Sequence, residues 1–232
     1  MKKKLIILIK KMKIKKLLLC VLLLFMPNFI KILLLRLSGA KIGKKVKIGF
    51  SIVIAKNLIL EDFTRIGHFN LIWRLNNLTL KRGSVIFFGN WITGARSGSF
   101  LLGANSGITR FHFFESSGNI SIGSNSIVAG RSSVFYCHGL TPRSLNFVDH
   151  IKIGDWCYIG SNSKFSPGGS IGNNTFVAMA GLVSKNFTNE SYILLGGIPV
   201  KKIKSYNSNS VYWQRPYLSQ AHHPRDYYIH KS

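Results

Sequence analysis

Acidic residues are the scarcest feature of this chain: seven Asp and Glu stand against 32 Lys and Arg in 232 residues. So few carboxylates argue against an all-oxygen metal cage and against two-carboxylate glycoside hydrolysis. Cysteines number only three. Cys20, Cys137 and Cys157 form no CxxC pair, which excludes a disulfide framework or a zinc ribbon and suits a reducing cytoplasm. An uninterrupted apolar run of membrane-spanning length is also missing, because Leu17–Pro27 gives way at Asn28 and Lys31 where roughly 20 residues are needed. What the chain does have is 46% apolar residues and 12% aromatics, enough for a core and too many for disorder. Its net charge of +25 calls for an anionic partner or surface.

Fourteen of the basic residues, and no acid, fall in residues 1–50. MKKKLIILIKKMKIKK runs into LLLCVLLLFMPNFIKILLLRL. Three readings are open for residues 1–38: a helix lying in an anionic membrane interface, a helix packed on the domain, or a spanning or secreted segment. The expectation carried forward is the interfacial one, an amphipathic helix on the cytoplasmic face of the cell membrane. No small-x-small cleavage site follows the apolar run. Nucleic acid is not the expected partner. The lysines alternate with Leu and Ile rather than with aromatic platforms, and no helix-turn-helix or zinc-finger pattern is present.

A six-residue period governs the rest. Aliphatic residues recur at Ile42, Ile48, Ile54, Leu60, Ile66 and Ile72, then at Leu80, Ile86 and Ile92, at Leu102, Ile108 and Phe114, and at Ile122, Val128 and Val134. After an interruption come Ile153, Ile159, Phe165, Ile171, Val177 and Val183. Neither a helix nor an exposed strand repeats at six. A prism of short strands and tight corners does, with every sixth side chain turned to the axis. The expectation is that Ile153, Ile159, Phe165, Ile171 and Val177 stack along one interior line. Glycine follows many of these positions (Gly43, Gly67, Gly123, Gly154, Gly160) and reads as corner conformation. Asn125, Asn162 and Asn174 suit left-handed turns.

The run IKIGDWCYIGSNSKFSPGGSIGNNTFVAMAGLVSKNF at 151–187, with GGIPVKKIK at 196–204, resembles the hexapeptide-repeat acyltransferases. Within them it is most similar to the sugar and polysaccharide O-acetyltransferases, over roughly residues 40–204. The resemblance implies an all-β fold, a left-handed parallel β-helix over 39–204. It sits between the 1–38 segment and a C-terminal tail at 205–232. It also implies acetyl-CoA as acyl donor, a sugar or oligosaccharide acceptor, a homotrimer with the site between neighbouring prisms, and no metal. The γ-class carbonic anhydrases share the fold, but their HxxxxH spacing is absent here.

Chemistry is expected where the repeat breaks, in the loop 135–152. By resemblance, His138 is the catalytic base, an imidazole being suited to proton removal near neutral pH. His150 and Asp149 read as loop structure, His112 as part of a coil face, and Phe135 and Tyr136 as packing. The resemblance further implies an oxyanion-stabilising amide at Ser161 after Gly160, and acetyl-CoA contacts at Met179, Ser184 and Lys185. Lys201, Lys202 and Lys204 are candidates for the CoA phosphates, and Tyr158 for the acceptor pocket. Where the family has GAGSVV and TKD, this chain has AMAGLV and SKN. N-acetylation of an amino sugar and a catalytically inactive scaffold are the alternatives.

Overall fold

Each six-residue step is long enough for a two- to five-residue strand and a turn, and three steps return the chain to its starting edge. The computed structural model describes residues 26–95 and 98–215, and there the chain winds as a parallel β-solenoid of three faces. Face 1 is followed by strands such as Ser99–Leu102, Asn119–Ile122 and Ile151–Ile153. Face 2 holds Gly107–Arg110, Ile127–Arg131 and Tyr158–Ile159. Face 3 holds Trp91–Thr93, Phe113–Glu115, Val134–Tyr136 and Lys164–Phe165. Faces 3 and 1 join into one sheet because Ile52–Leu60 and Leu71–Leu80 run straight through their shared corner, where Arg74 takes φ +60°.

The hexad residues point inward, but on three lines rather than one. Ile153 stacks on Ile171 on face 1, Ile159 on Val177 on face 2, and Phe165 on Val183 on face 3. All six are almost wholly buried. A six-residue step turns the corner, so the stacking repeat is a full coil. Two frame positions also move. Ile54 is 40% exposed, and Val53, paired with Ile72, packs on the core instead. At Val134 the inward residue is Phe135, stacked between Phe114 at 4.4 Å and Phe165 at 4.7 Å. Burying each such side chain contributes about 1.5–3 kcal/mol.

The glycines after the hexad residues serve close approach, not unusual angles. A Cβ on Gly67 would lie 1.9 Å from the Phe87 carbonyl oxygen, and one on Gly123 2.5 Å from the Gly154 carbonyl carbon. The left-handed corner positions fall elsewhere, among them Asn125, Asn162 and Asn174 at φ +63°, +59° and +55°. Between faces 2 and 3 a buried polar ladder ties coil to coil. Asn70 accepts from the Asn90 N–H, Asn90 from His112, His112 Nδ1 from Ser133, and Ser133 from Ser163.

Both ends of the solenoid are closed. Helix α1 (Asn28–Leu37) follows Pro27 and ends at Gly39, which takes φ +93°. It lies across the first coil with Ile32 and Leu35 on the core, and its polar side chains take up backbone groups of that coil. The Asn28 amide donates to the Val46 carbonyl and accepts from Ile48 N–H; Lys31 donates to Gly49 at 2.7 Å and Arg36 to Ile42 at 2.8 Å. Residues 28–37, expected in a membrane interface, therefore belong to the folded domain. Its outer side still exposes Phe29, Leu33 and Leu37. Residues 1–25 and 216–232, which carry the rest of the expected anchor and tail, lie outside the described residues. Among the described residues no helix is long and apolar enough to cross a membrane. At the far end Ile193–Gly197 turns back and pairs antiparallel with Val200–Ser205. Trp213 and Tyr212 then fold over face 2, bonding to the Trp156 and Cys157 carbonyls.

Candidate active site

The insertion leaves the prism after Val134–Tyr136, at the corner between faces 3 and 1. It is not a loose loop. His138–Thr141 and Ser144–Val148 pair as an antiparallel hairpin, and its neck is closed by the Asp149 N–H donating to the Cys137 carbonyl at 2.8 Å. Residues 138–150 are extruded, a shorter span than 135–152, because Phe135, Cys137 and Ile151 are core residues.

His138 starts the hairpin. Its Nδ1 lies 2.6 Å from Glu115 Oε2. A carboxylate only accepts, so the ring proton sits on Nδ1, and among the described residues nothing bonds to the Nε2 lone pair. The imidazole is half exposed, while the Glu115 side chain is 9% exposed. Glu115 ends the face 3 strand Phe113–Glu115 and is in register with Tyr136, so one coil of rise brings it under the hairpin neck. Its second oxygen, Oε1, accepts from both the N–H and the hydroxyl of Ser117. The carboxylate is thus fixed on both sides, and it fixes the histidine. Cys137 stands beside this pair, but burial pushes its thiol up to about 12, so it is no nucleophile.

Sequence reasoning missed Glu115. Its signals were its rarity and its position just before the repeat slips, in FFESSG. The other expected residues fall in distinct places. His150 Nδ1 accepts from Asn119 N–H at 3.0 Å, a structural bond at the re-entry point. His112 is buried in the polar ladder, and burial holds its imidazole down to about 4. Ser184 and Lys185 are exposed on His138's corner, two coils further on. Ser161, Gly160 and Met179 lie on the corner between faces 2 and 3 instead. Within one chain the structure does not bring Ser161 and His138 together.

The Ser161 amide has a distinctive setting. At matching turn positions the N–H is taken by a side chain of the next coil: Ser124 by Asp155 Oδ1 and Asp155 by Asn173 Oδ1. The residue in register above Ser161 is Met179, which offers no oxygen, and among the described residues no acceptor takes the Ser161 N–H. Its side chain rests over Gly130, where a Cβ would come within 1.6 Å of the Ser161 Oγ. Tyr158 belongs to an aromatic cluster on face 2 with Phe176 and Tyr212, away from His138. Lys201, Lys202 and Lys204 lie on the returning end strand; Lys202 pairs with Glu190 at 3.6 Å and Lys204 sits over Tyr206.

An aromatic ladder climbs face 3 toward the histidine. Trp91 meets Phe113 at 5.1 Å, Phe113 meets Tyr136 at 5.4 Å, and Tyr136 meets His138 at 6.4 Å. Trp91 and Tyr136 are nearly half exposed. Among the described residues, no three His, Cys, Asp or Glu side chains converge as a metal site.

No protein-family model matches the chain and no curated protein does. Among solved structures it is similar to a hexapeptide-repeat-containing acetyltransferase of Vibrio cholerae, at 17% identity over 72% of this chain and 74% of that one, with a TM-score of 0.45. It is also similar to a polysialic acid O-acetyltransferase, at 17% identity over 75% and 94% with a TM-score of 0.46. A galactoside acetyltransferase in complex with coenzyme A is 15% identical over 77% and 70%, with a TM-score of 0.38. At these identities each is a likeness only.

Proposed function

We propose that the protein is an acetyl-CoA-dependent O-acetyltransferase whose acceptor is a sugar hydroxyl of a surface polysaccharide or its precursor. The observation that carries this reading is the Glu115–His138 pair, a buried carboxylate orienting a half-exposed imidazole whose Nε2 no described residue engages. His138 Nε2 takes the hydroxyl proton as the sugar oxygen bonds to the thioester carbonyl carbon. The carbon–sulfur bond then breaks, and the proton passes from His138 to the departing thiolate, giving free CoA and the acetyl ester. The imidazolium formed in between is stabilised by Glu115. The unclaimed Ser161 N–H is suited to the developing oxyanion, where one such donor supplies about 3 kcal/mol.

Since His138 and Ser161 occupy different corners of one prism, this chemistry calls for the corner of one subunit against that of another. That is the homotrimer implied by the sequence resemblance, with a single interface used three times. The Trp91–Phe113–Tyr136 ladder supports a sugar acceptor, because aromatic faces pack against the apolar faces of pyranose rings. We place the enzyme at the cytoplasmic face of the membrane on the strength of the basic, apolar residues 1–25.

Release of free CoA thiol, followed with DTNB against a panel of sugars and capsular oligosaccharides, tests the reading. His138→Ala should lower kcat by about 10²–10⁴ with acetyl-CoA binding retained, and His150→Ala should cost under tenfold. A His138→Ala enzyme within threefold of the parent would refute the assignment.

A further inference from the structure

The N-terminal half of the solenoid holds a cavity that acetyl transfer does not use. Its volume is about 880 Å³, and it lies along face 2 of the first four coils with Asn28 of α1 in its wall. Lys47, Arg65, Arg110 and His68 line it, and no acid does. Lys47 and Arg65 stack in register on neighbouring coils. Among the described residues no carboxylate lies within ion-pair distance of Lys47, Arg65 or Arg110. His68 adds a donor: its Nδ1 accepts from Phe50 N–H at 3.2 Å, so its ring proton is on Nε2.

The rim of the same cavity is apolar. Phe88 meets Phe111 edge to face at 5.4 Å and Phe69 at 5.2 Å. Phe69 and Phe111 project from the corner between faces 2 and 3, 66% and 52% exposed. Helix α1, whose Asn28 lines the cavity, turns Phe29, Leu33 and Leu37 outward, one helical turn apart. Residues 1–25, which precede this helix in the sequence, carry eight lysines interleaved with Leu and Ile. Exposed cations along the cavity, with aromatic tips at its rim, fit one kind of ligand: an anion carried by an apolar body.

We propose that the cavity receives the phosphate headgroup of an anionic membrane lipid, while Phe69, Phe111 and the outer stripe of α1 enter the acyl boundary. Arg65 and Arg110 present forked donors matched to phosphate oxygens, and Lys47 and His68 Nε2 complete the ring of donors. This assignment deepens the membrane reading of residues 1–25 and is independent of the acetyl-transfer chemistry.

Calorimetric titration of the full chain with dihexanoyl phosphatidylglycerol, kept below its micelle concentration, tests the cavity. Saturable one-to-one binding is expected, weakened at least tenfold in Arg65→Gln/Arg110→Gln. It should stay within twofold of the parent in Lys152→Gln/Lys164→Gln, which removes the same charge from a distant coil. Binding that survives Arg65→Gln/Arg110→Gln, or no binding by the parent, would overturn the site. Inorganic phosphate is the second probe: affinity at least tenfold below that of the short lipid supports the headgroup, and equal affinity would overturn it in favour of a soluble phosphate. Both variants carry changes at exposed side chains, and unchanged thermal midpoints verify their folding. Flotation of the full chain on phosphatidylglycerol vesicles reads the membrane proposal separately. A chain that floats but ignores the short lipid retains its anchor and refutes the cavity.

Discussion

Glu115→Gln is the substitution that interrogates the site most sharply, because the two carboxylate oxygens are not equivalent. Oε1 accepts from the Ser117 backbone N–H, which can only donate, so the amide oxygen of glutamine must take that side. The amide NH2 then faces His138 Nδ1, 2.6 Å from the present oxygen. An NH2 group there forces Nδ1 to accept and moves the ring proton to Nε2, the atom that should remove the sugar proton. The histidine would be aligned but in the wrong tautomer, and the whole contribution of the base, about 10²–10⁴ in kcat, would be lost. Glu115→Ala is milder. It forfeits one charge-assisted hydrogen bond worth about 1.5–3 kcal/mol, roughly 10- to 150-fold, but leaves the ring free to populate the active tautomer. The isosteric change should therefore be slower than the truncation. Steady-state kcat from thiol release at saturating acetyl-CoA gives the ordering, and nitrogen chemical shifts of the His138 ring report the tautomer. KM for acetyl-CoA should stay within about twofold. A Glu115→Gln enzyme faster than Glu115→Ala, or within threefold of the parent, would show that Glu115 does not orient the base.

Two further expectations concern the corner between faces 2 and 3. Burial holds His112 at about 4 in the folded chain against 6.5 when exposed, so the unfolded chain binds the proton first. The stability this represents, about 3 kcal/mol, is intact above pH 6.5 and lost as pH falls toward 4. His112→Asn, which continues the Asn70–Asn90 ladder, should flatten that part of the profile in urea unfolding between pH 7 and 4; an unchanged slope would refute the linkage. Gly130→Ala should displace Ser161, since its Cβ would fall 1.6 Å from the Ser161 Oγ and its backbone holds φ +70°. Turnover should drop at least tenfold, and Ser161→Gly in the same chain should restore part of it; no rescue would mean that the backbone strain alone is responsible.

Much of the architecture was legible from the hexad period because it reflects one physical fact, that every sixth side chain faces the axis. Ile66, Ile86 and Ile108 fall on that frame and are buried. The period misled at Ile54 and Val134, where strands run through a corner or shift inward by one residue, which spacing cannot register. It also merged three stacks into one line, since a six-residue repeat does not say how many steps close a coil. Of the site, His138 was marked by the break in the repeat together with the family resemblance. Glu115 was not, because it lies 23 residues earlier and meets the histidine only through coil stacking. Asp149, read as loop structure, does serve the loop: it accepts from the His150 N–H and bonds the neck of the hairpin.

A parallel solenoid ends in unpaired strands, and each end would template another copy as readily as its own next coil. The two ends here are blocked by different means. At one, Asn28, Lys31 and Arg36 occupy the carbonyls and amides that an incoming strand would need. At the other, the outer strand Val200–Ser205 shows a row of exposed side chains with Lys201, Lys202 and Lys204 among them. Two such ends meeting would set like charges against one another. The same lysines that suggest a binding surface thus act as a chain terminator, keeping a stackable fold at a finite number of coils instead of a filament.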